Sequence, residues 1–194
     1  MFSELEFRRK ILHIFFGLIA VALIYYDLIQ IWAFLILIVA GIIISFISAR
    51  LEIPVISQML KWFDRNEKTP GNGAITLVIG IALVWTIFYG KKDIICASVM
   101  ILSLGDSFSL IVGKYFGKRK HPLNSFKMIE GTIAGIIAGF FGALIFVSFL
   151  EALFASVVAM LIEAVNIKIG KQVIDDNLII PIVAGVVIYI IRLI

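Results

Sequence analysis

Apolar runs separated by short polar breaks constrain the fold of this chain more than any other feature of its sequence. Seven such runs are present: Ile11 to Tyr26, Leu28 to Ser48, Ala74 to Tyr89, Ile94 to Val112, Thr132 to Leu150, Ala152 to Ile167 and Leu178 to Ile194. A helix needs about 20 apolar residues to cross the hydrocarbon core of a bilayer, so the shorter runs are marginal. The pattern predicts one all-α, polytopic integral membrane domain over residues 1–194, a bundle of six to seven transmembrane helices.

The composition excludes an ordinary water-soluble domain. Hydrophobic residues make up 62% of the chain and charged residues only 15%. The single cysteine, Cys96, excludes an internal disulfide and a cysteine-based metal site. The net charge of +4 comes from basic residues in the gaps between apolar runs. We therefore expect these residues to orient the chain in a membrane rather than to bind nucleic acid.

The distribution of basic residues predicts the topology. With seven spans and a cytoplasmic N-terminus, all but three of the 17 Lys and Arg residues lie on the cytoplasmic side, the exceptions being Lys91, Lys92 and Arg192. The first apolar run follows positive charge as in a signal peptide. It lacks a small-residue cleavage site, so we expect a retained first span. The multi-pass protein would then present its active face to the cytoplasm.

Residues 49–73 are predicted to form an interfacial cytoplasmic segment. Glu52, Lys61 and Arg65 lie opposite apolar residues that recur at helical spacing, namely Leu51, Val55, Met59 and Trp62. This pattern fits an amphipathic helix in the membrane interface, and equally a loop helix that covers the bundle. Residues 70–73 are a Pro-Gly-Asn-Gly turn without the following lysine of a P-loop.

Asp106 lies inside the fourth apolar run. A carboxylate in a membrane span is costly unless it faces a partner or a hydrated cavity, so Asp106 is a functional candidate. Small residues recur every four positions on both sides of it. They form two ridges that predict close helix packing: Gly105, Ser109, Gly113 and Gly117 in the fourth run, and Gly131, Gly135, Gly139 and Ala143 in the fifth.

Basic residues are predicted at two places near Asp106. Arg9, His13 and Gly17 share one face of the first helix, with Lys10 beside them. The alternative is that the basic residues only anchor the topology. Residues 113–131 are predicted to form a cytoplasmic basic loop that suits an anionic ligand. Its candidate ligand-binding positions are Gly117, Lys118, Arg119, Lys120 and Lys127.

Further carboxylates occur on the same predicted side of the membrane. Glu130 begins the fifth run, where it has either a functional role or a plain capping role. Glu163, Asp175 and Asp176 lie near the sixth and seventh runs, and the last two also fit ordinary helix-start punctuation. If these groups converge with Asp106, they outline a Mg²⁺ site, because Mg²⁺ binds one or two carboxylates together with phosphate oxygens.

The ordered set of motifs resembles the polyprenol kinase family, which includes dolichol kinases, phytol kinases and CTP-dependent diacylglycerol kinases. Four motifs carry the resemblance: Arg9-Lys10-x-x-His13-x-x-x-Gly17, Gly105-Asp106-x-x-Ser109-x-x-x-Gly113-x-x-x-Gly117-Lys118, Lys127-x-x-Glu130-Gly131 and Asp176-Asn177-x-x-x-Pro181. The central block also resembles the CDP-diacylglycerol synthases. Those enzymes typically end with a Lys-Asp pair and a His-Gly-Gly and Asp-Arg signature, whereas this chain ends with VIDDNLIIP. The kinase branch therefore fits better.

The resemblance implies transfer of the γ-phosphate of CTP to the hydroxyl of a lipid alcohol in the bilayer, with a dolichol or polyprenol as the expected acceptor. On this basis we expect catalytic roles for Asp106, Lys127 and Glu130, with Asp106 either binding the cation or accepting the proton of the lipid hydroxyl. Mg²⁺ or another divalent cation would be bound by Asp106, Glu130 and Asp176. The nucleotide and its phosphates would be bound by Arg9, Lys10, His13, Gly113, Gly117, Lys118 and Asn177.

Three alternatives remain open at this point. The first is synthesis of a CDP-lipid, because the central block resembles phosphatidate cytidylyltransferases. The second is a kinase whose acceptor is a diacylglycerol-type lipid. Intramembrane carboxylates and glycine-rich helices are also typical of small transporters, although the two halves show no inverted repeat. The glycine ridges are compatible with packing within one chain or between copies, so an oligomer is possible.

Overall fold

The computed structural model describes residues 4–64, 69–165, 167–169 and 172–194. Arg65 of the amphipathic pattern, and Lys68 and Lys171 of the topology argument, lie outside the described residues. The described chain is largely helical. Its helices are α1 (Glu4–Tyr25), α2 (Ile31–Ser48), α3 (Pro54–Phe63), α4 (Asn72–Ile87), α5 (Lys92–Met100), a π-helical segment (Ile101–Asp106), α6 (Ser107–Phe116), α7 (Ile129–Ala143), α8 (Phe149–Val165) and α9 (Asp176–Ile191).

Two small antiparallel hairpins depart from the all-α expectation. The first pairs β1 (Lys120–His121) with β2 (Asn124–Met128), and the second pairs β3 (Lys168–Ile169) with β4 (Gln172–Val173). The first hairpin occupies residues 120–128 of the predicted basic loop, while α6 extends into the beginning of that loop as far as Phe116. Both hairpins are short connections between helices, so the helical class of the fold is confirmed.

Two helices among the described residues are long and apolar enough to cross a membrane. They are Ile31–Ser48 and the continuous helix Lys92–Phe116, which comprises α5, the π-helical segment and α6. The predicted number of six to seven spans stays a prediction. The fifth apolar run is interrupted, because α7 ends at Ala143 and α8 begins at Phe149.

The helix Lys92–Phe116, called the central helix below, forms the axis of the bundle. Its side chains Ile94, Ile101 and Leu102 are fully buried. Helices α1, α4, α7, α8 and α9 pack around it, whereas α2 packs against α4 and α3 packs against α1. The burial of apolar side chains along this axis stabilises the arrangement that brings the polar ends of several helices together.

The two small-residue ridges pack against each other, as their spacing predicts. A Cβ atom placed on Gly131 would lie 2.4 Å from the carbonyl oxygen of Ser109, and one on Gly135 would lie 2.7 Å from that of Gly105. Only glycine permits so close an approach of two helix backbones. This contact fixes α7 against the central helix just beyond Asp106.

Candidate functional site

A cavity of about 770 Å³ lies at the end of the bundle where α1, α4 and α9 begin. Seven of the predicted site residues line it: Arg9, Lys10, His13, Asp106, Lys127, Asp176 and Asn177. Glu163 at the end of α8 also lines the cavity, together with apolar side chains of α1 and α3. Residues far apart in the sequence therefore meet at one site.

Asp106 is the last residue of the π-helical segment and is only 5% exposed. The ammonium group of Lys10 donates a hydrogen bond to its Oδ2 atom, and both side chains are buried. The Nε2 atom of His13 lies 3.8 Å from the same oxygen and has no hydrogen-bond partner. A buried charge needs a partner, so Lys10 explains how the carboxylate of Asp106 is accommodated in apolar surroundings.

Lys127 on β2 connects two further carboxylates. Its Nζ atom lies 2.6 Å from Oε1 of Glu163 and 3.3 Å from Oδ2 of Asp176. Burial by itself lowers the pKa of Lys127, but the two carboxylates outweigh this effect and raise the pKa above its usual value. Lys127 is therefore a firmly charged cation at the cavity wall.

The carboxylates of Asp106, Glu163 and Asp176 form the cation-binding candidate among the described residues. One oxygen atom of each lies within 4.8 Å of the others. The Oε2 atom of Glu163 is buried and has no hydrogen-bond partner, so it is available to a ligand. A set of carboxylate oxygens beside a cavity suits Mg²⁺, which keeps waters or phosphate oxygens as its remaining ligands. These residues therefore fit the expected divalent cation.

Glu130 does not belong to this group, in contrast to the expected metal set. Its carboxylate accepts hydrogen bonds from the backbone N–H of Arg119, at 3.2 Å and 3.3 Å. Hydrogen bonds from its own N–H and from that of Arg119 outweigh the effect of burial and lower the pKa of Glu130. Glu130 thus connects the first turn of α7 to Arg119, the residue before β1. Glu163 is instead the third carboxylate of the cluster. The catalytic and metal-binding roles expected of Glu130 stay predictions.

Three other predicted nucleotide ligands lie outside the cavity lining. Lys118 is exposed in the loop between α6 and β1. Gly113 is buried against Gly131, and a Cβ atom on Gly117 would meet the side chain of Met128 at 2.4 Å. In this structure the two glycines serve helix and loop packing, and nucleotide binding by the three residues stays a prediction.

Asn177 lines the cavity and joins α9 to α4. Its side-chain amide donates to Oγ1 of Thr76 at 2.9 Å and to the carbonyl oxygen of Gly73 at 3.2 Å. Asp175 caps α9 by accepting a hydrogen bond from the backbone N–H of Asn177, and it also accepts one from Thr76. Asp175 thus caps α9, and Asn177 connects the start of α9 to the start of α4 at the cavity.

The side chain of Arg9 also lies near the start of α4. Its guanidinium pairs with Glu6 at 3.1 Å, and its Nη2 atom is 3.3 Å from where a Cβ atom on Gly73 would lie. Gly71 adopts a left-handed conformation with φ of 73°, and its N–H donates to Asp64. The sequence signal for this turn was the Pro-Gly-Asn-Gly cluster. Nothing in the sequence predicted the role of Asp64.

Comparison with known proteins identifies relatives over most of the chain. The uncharacterized protein MJ1137 of Methanocaldococcus jannaschii is 31% identical over 191 residues, which cover 94% of this chain and 92% of that protein. Probable phytol kinase 2, chloroplastic, of Oryza sativa is 27% identical, with 95% of this chain and 66% of that protein covered. CTP-dependent diacylglycerol kinase 1 of Schizosaccharomyces pombe is also 27% identical, with 65% and 63% covered.

No protein-family model matches the chain, and no solved structure matches it. The chain spans slightly less than two thirds of the length of the two kinases just named. Its match to MJ1137 is both closer and nearly complete. The chain belongs to the same family as MJ1137 of Methanocaldococcus jannaschii, and its distant homologues support a polyprenol and lipid kinase-like family.

Proposed function

We propose that this chain is an integral membrane kinase that transfers the γ-phosphate of CTP to the hydroxyl of a lipid alcohol, with a polyprenol-type isoprenoid as acceptor. One observation carries the proposal: Asp106, Glu163 and Asp176 meet Lys10 and Lys127 in one cavity that apolar side chains also line. Such a cavity offers charged groups to a nucleotide and a hydrocarbon surface to a lipid.

The charged wall supplies what phosphoryl transfer requires. This chemistry depends on positioning and on neutralising the charge of phosphate oxygens more than on covalent work by the protein. Arg9, Lys10 and Lys127 are cations at the cavity, and they would bind the phosphates of the nucleotide. Mg²⁺ would be held by Asp106, Glu163 and Asp176, and it would supply further charge neutralisation.

The proposed reaction transfers one phosphoryl group from CTP to the alcohol. The oxygen of the alcohol forms a bond to the γ-phosphorus, the bond from that phosphorus to the β,γ-bridging oxygen breaks, and CDP leaves. The proton of the hydroxyl passes to a carboxylate at the site. Asp106 is the proposed acceptor, because it lies in the cavity beside Lys10 and His13. In that role it would leave the cation to Glu163 and Asp176.

The membrane setting is supported by the surface of α2. Large apolar side chains such as Trp32, Leu35 and Ile36 are more than half exposed there. An apolar surface of this kind is costly in water and fits contact with lipid. Ion pairs lie at the bundle end opposite the cavity, including Lys92 with Asp27 and Arg192 with Asp93. We place the cavity end, with the start of α1, on the cytoplasmic side.

The names of the relatives support the two substrates. The rice relative is named a phytol kinase, and phytol is an isoprenoid alcohol. The fission yeast relative is named a CTP-dependent diacylglycerol kinase. We extend CTP from that name to this chain as the phosphate donor. Because the same name specifies diacylglycerol, diacylglycerol-type lipids are the second candidate acceptors.

The test is an assay of the purified protein in detergent or proteoliposomes with γ-labelled CTP or ATP and a panel of lipid alcohols. We expect labelled lipid phosphate and CDP with CTP as donor, Mg²⁺ dependence, and loss of activity in Asp106→Asn. Release of pyrophosphate with formation of a CDP-lipid would instead identify a cytidylyltransferase. Full activity of Asp106→Asn would remove Asp106 from the mechanism.

A further inference from the structure

The cavity has a second wall that the phosphoryl-transfer chemistry does not use. This wall is formed by apolar side chains of α1 and α3: Leu12, Phe16, Ile56, Met59, Leu60 and Phe63. The charged side chains of Asp106 and Lys127 line the same cavity. A ligand that fills the whole cavity therefore has a polar end and a hydrocarbon part.

Two residues show where this apolar wall reaches the surface of the protein. Phe16 of α1 and Met59 of α3 line the cavity, yet 50% and 53% of their surfaces are exposed. Lys10 and Asp106, at the polar end, have side chains that are less than a tenth exposed. The cavity thus opens between α1 and α3 and ends at the buried ion pair.

Helix α3 suits a position at the membrane interface. None of its residues is buried, and Val55 and Trp62 on its outer surface are exposed. Ile56, Leu60 and Phe63 point to the cavity instead. An amphipathic helix with an exposed tryptophan is typical of the boundary between headgroups and acyl chains. An opening beside such a helix would connect the bilayer with the cavity.

We propose that the opening between α1 and α3 is the binding site for the hydrocarbon chain of the acceptor alcohol. The chain lies along Leu12 and Phe16, and its hydroxyl points toward Asp106. Phe16 is three residues after His13, so the hydrocarbon begins about 4.5 Å along the helix from the level of the reacting groups. Ile56, Met59, Leu60 and Phe63 of α3 then select the shape of the acceptor. This assignment rests on the proposed function.

Substitutions at the opening test the assignment. Phe16→Trp and Met59→Trp add bulk where the cavity meets the surface. Phe15→Trp is the matched control, because Phe15 is 55% exposed and lies outside the cavity lining formed by the described residues. We expect the two cavity variants to change the KM for a long isoprenoid alcohol by about 10-fold or more, a typical effect of altered pocket contacts. The KM for CTP and both constants of Phe15→Trp should stay unchanged.

A binding measurement separates this assignment from the kinase proposal. Wild-type protein in proteoliposomes is labelled with an isoprenoid alcohol that carries a photoreactive diazirine on its chain, and labelled peptides are mapped by mass spectrometry. Labels within residues 12–16 and 56–63 that excess alcohol suppresses support the assignment, even if no lipid alcohol is phosphorylated. Labels confined to other helices overturn it. The assignment is also overturned if both cavity variants are monodisperse and change the KM for the alcohol and the KM for CTP equally.

Discussion

The ammonium group of Lys127 contacts Glu163 twice, at 2.6 Å from the side-chain Oε1 atom and at 2.6 Å from the backbone carbonyl oxygen. The first contact neutralises a buried carboxylate, and the second satisfies a carbonyl in the last turn of α8. Asp176, 3.3 Å away, is a third partner. Lys127 therefore holds the first hairpin against the ends of two helices and sets the charge of the site.

Replacement of Lys127 by methionine removes this charge and keeps the apolar stem. We expect Lys127→Met to lower kcat/KM by about 100- to 1000-fold, as loss of one electrostatic contact to a transition state does. Lys118→Met is the matched control, since Lys118 is exposed and outside the cavity lining of the described residues. Initial rates of phosphate transfer from labelled CTP provide the measurement. An equal loss in both variants would move the phosphate site to the exposed loop.

A pair of nearly isosteric substitutions distinguishes the two glutamates. Glu163→Gln removes a ligand of the proposed cation, so we expect the half-saturating Mg²⁺ concentration to rise by about 10-fold or more. Glu130→Gln should leave it unchanged, because Glu130 accepts a hydrogen bond from the backbone N–H of Arg119 and lies outside the carboxylate cluster. Binding of Mn²⁺ to each variant without nucleotide, followed by electron paramagnetic resonance, gives a readout other than activity. The reverse order of effects would restore Glu130 as the ligand.

The raised pKa of Lys127 predicts a contribution to stability that depends on pH. A cation whose folded pKa exceeds its unfolded value of 10.5 stabilises the fold fully below that pH. The contribution is then lost as the pH rises through the folded pKa. We expect the Tm difference between wild type and Lys127→Met to shrink as the pH rises above about 10.5. Thermal unfolding in detergent measures the difference, and a difference that does not shrink between about pH 10 and 12 would contradict the prediction.

The crossing of α4 and α9 predicts strong sensitivity at one glycine. A Cβ atom on Gly80 would lie 2.1 Å from the carbonyl oxygen of Asn177, whereas one on Gly139 would have its nearest neighbour, Oγ of Ser156, at 3.4 Å. We expect Gly80→Ala to reduce the free energy of unfolding by about 1 to 3 kcal/mol through overpacking. Gly139→Ala should be tolerated. Thermal unfolding compares the two, and equal Tm values would show that α9 moves aside without loss.

The clustering of the site residues could be expected from the sequence because loop order assigns each helix end to one side of the bundle. Arg9 and Lys10 precede the first run, Lys127 precedes the fifth and Asp176 precedes the seventh. Asp106 lies near the end of the fourth run, on the same side. Alternation of helix direction brings these positions together, and the structure shows them lining one cavity. Their roles in binding and catalysis remain predictions.

Other features could not be read from the sequence because they depend on tertiary contacts. Glu130 and Glu163 both lie near ends of apolar runs, and only packing shows that Glu130 accepts a hydrogen bond from the backbone of Arg119 while Glu163 lines the cavity. The break at residues 144–148 is itself largely apolar, so hydropathy gave one continuous run. The π-helical segment, Ile-Leu-Ser-Leu-Gly-Asp, has no distinctive periodicity.

That segment makes the geometry of the site depend on how many residues precede Asp106. A π-helical turn holds more residues than an α-helical one, and each residue of an α-helix turns the chain by about 100°. Loss of one residue between Ile101 and Asp106 would therefore rotate the carboxylate away from Lys10 even if every other side chain stayed the same. A related chain with an uninterrupted α-helix here would need its aspartate at a shifted position to meet the same lysine.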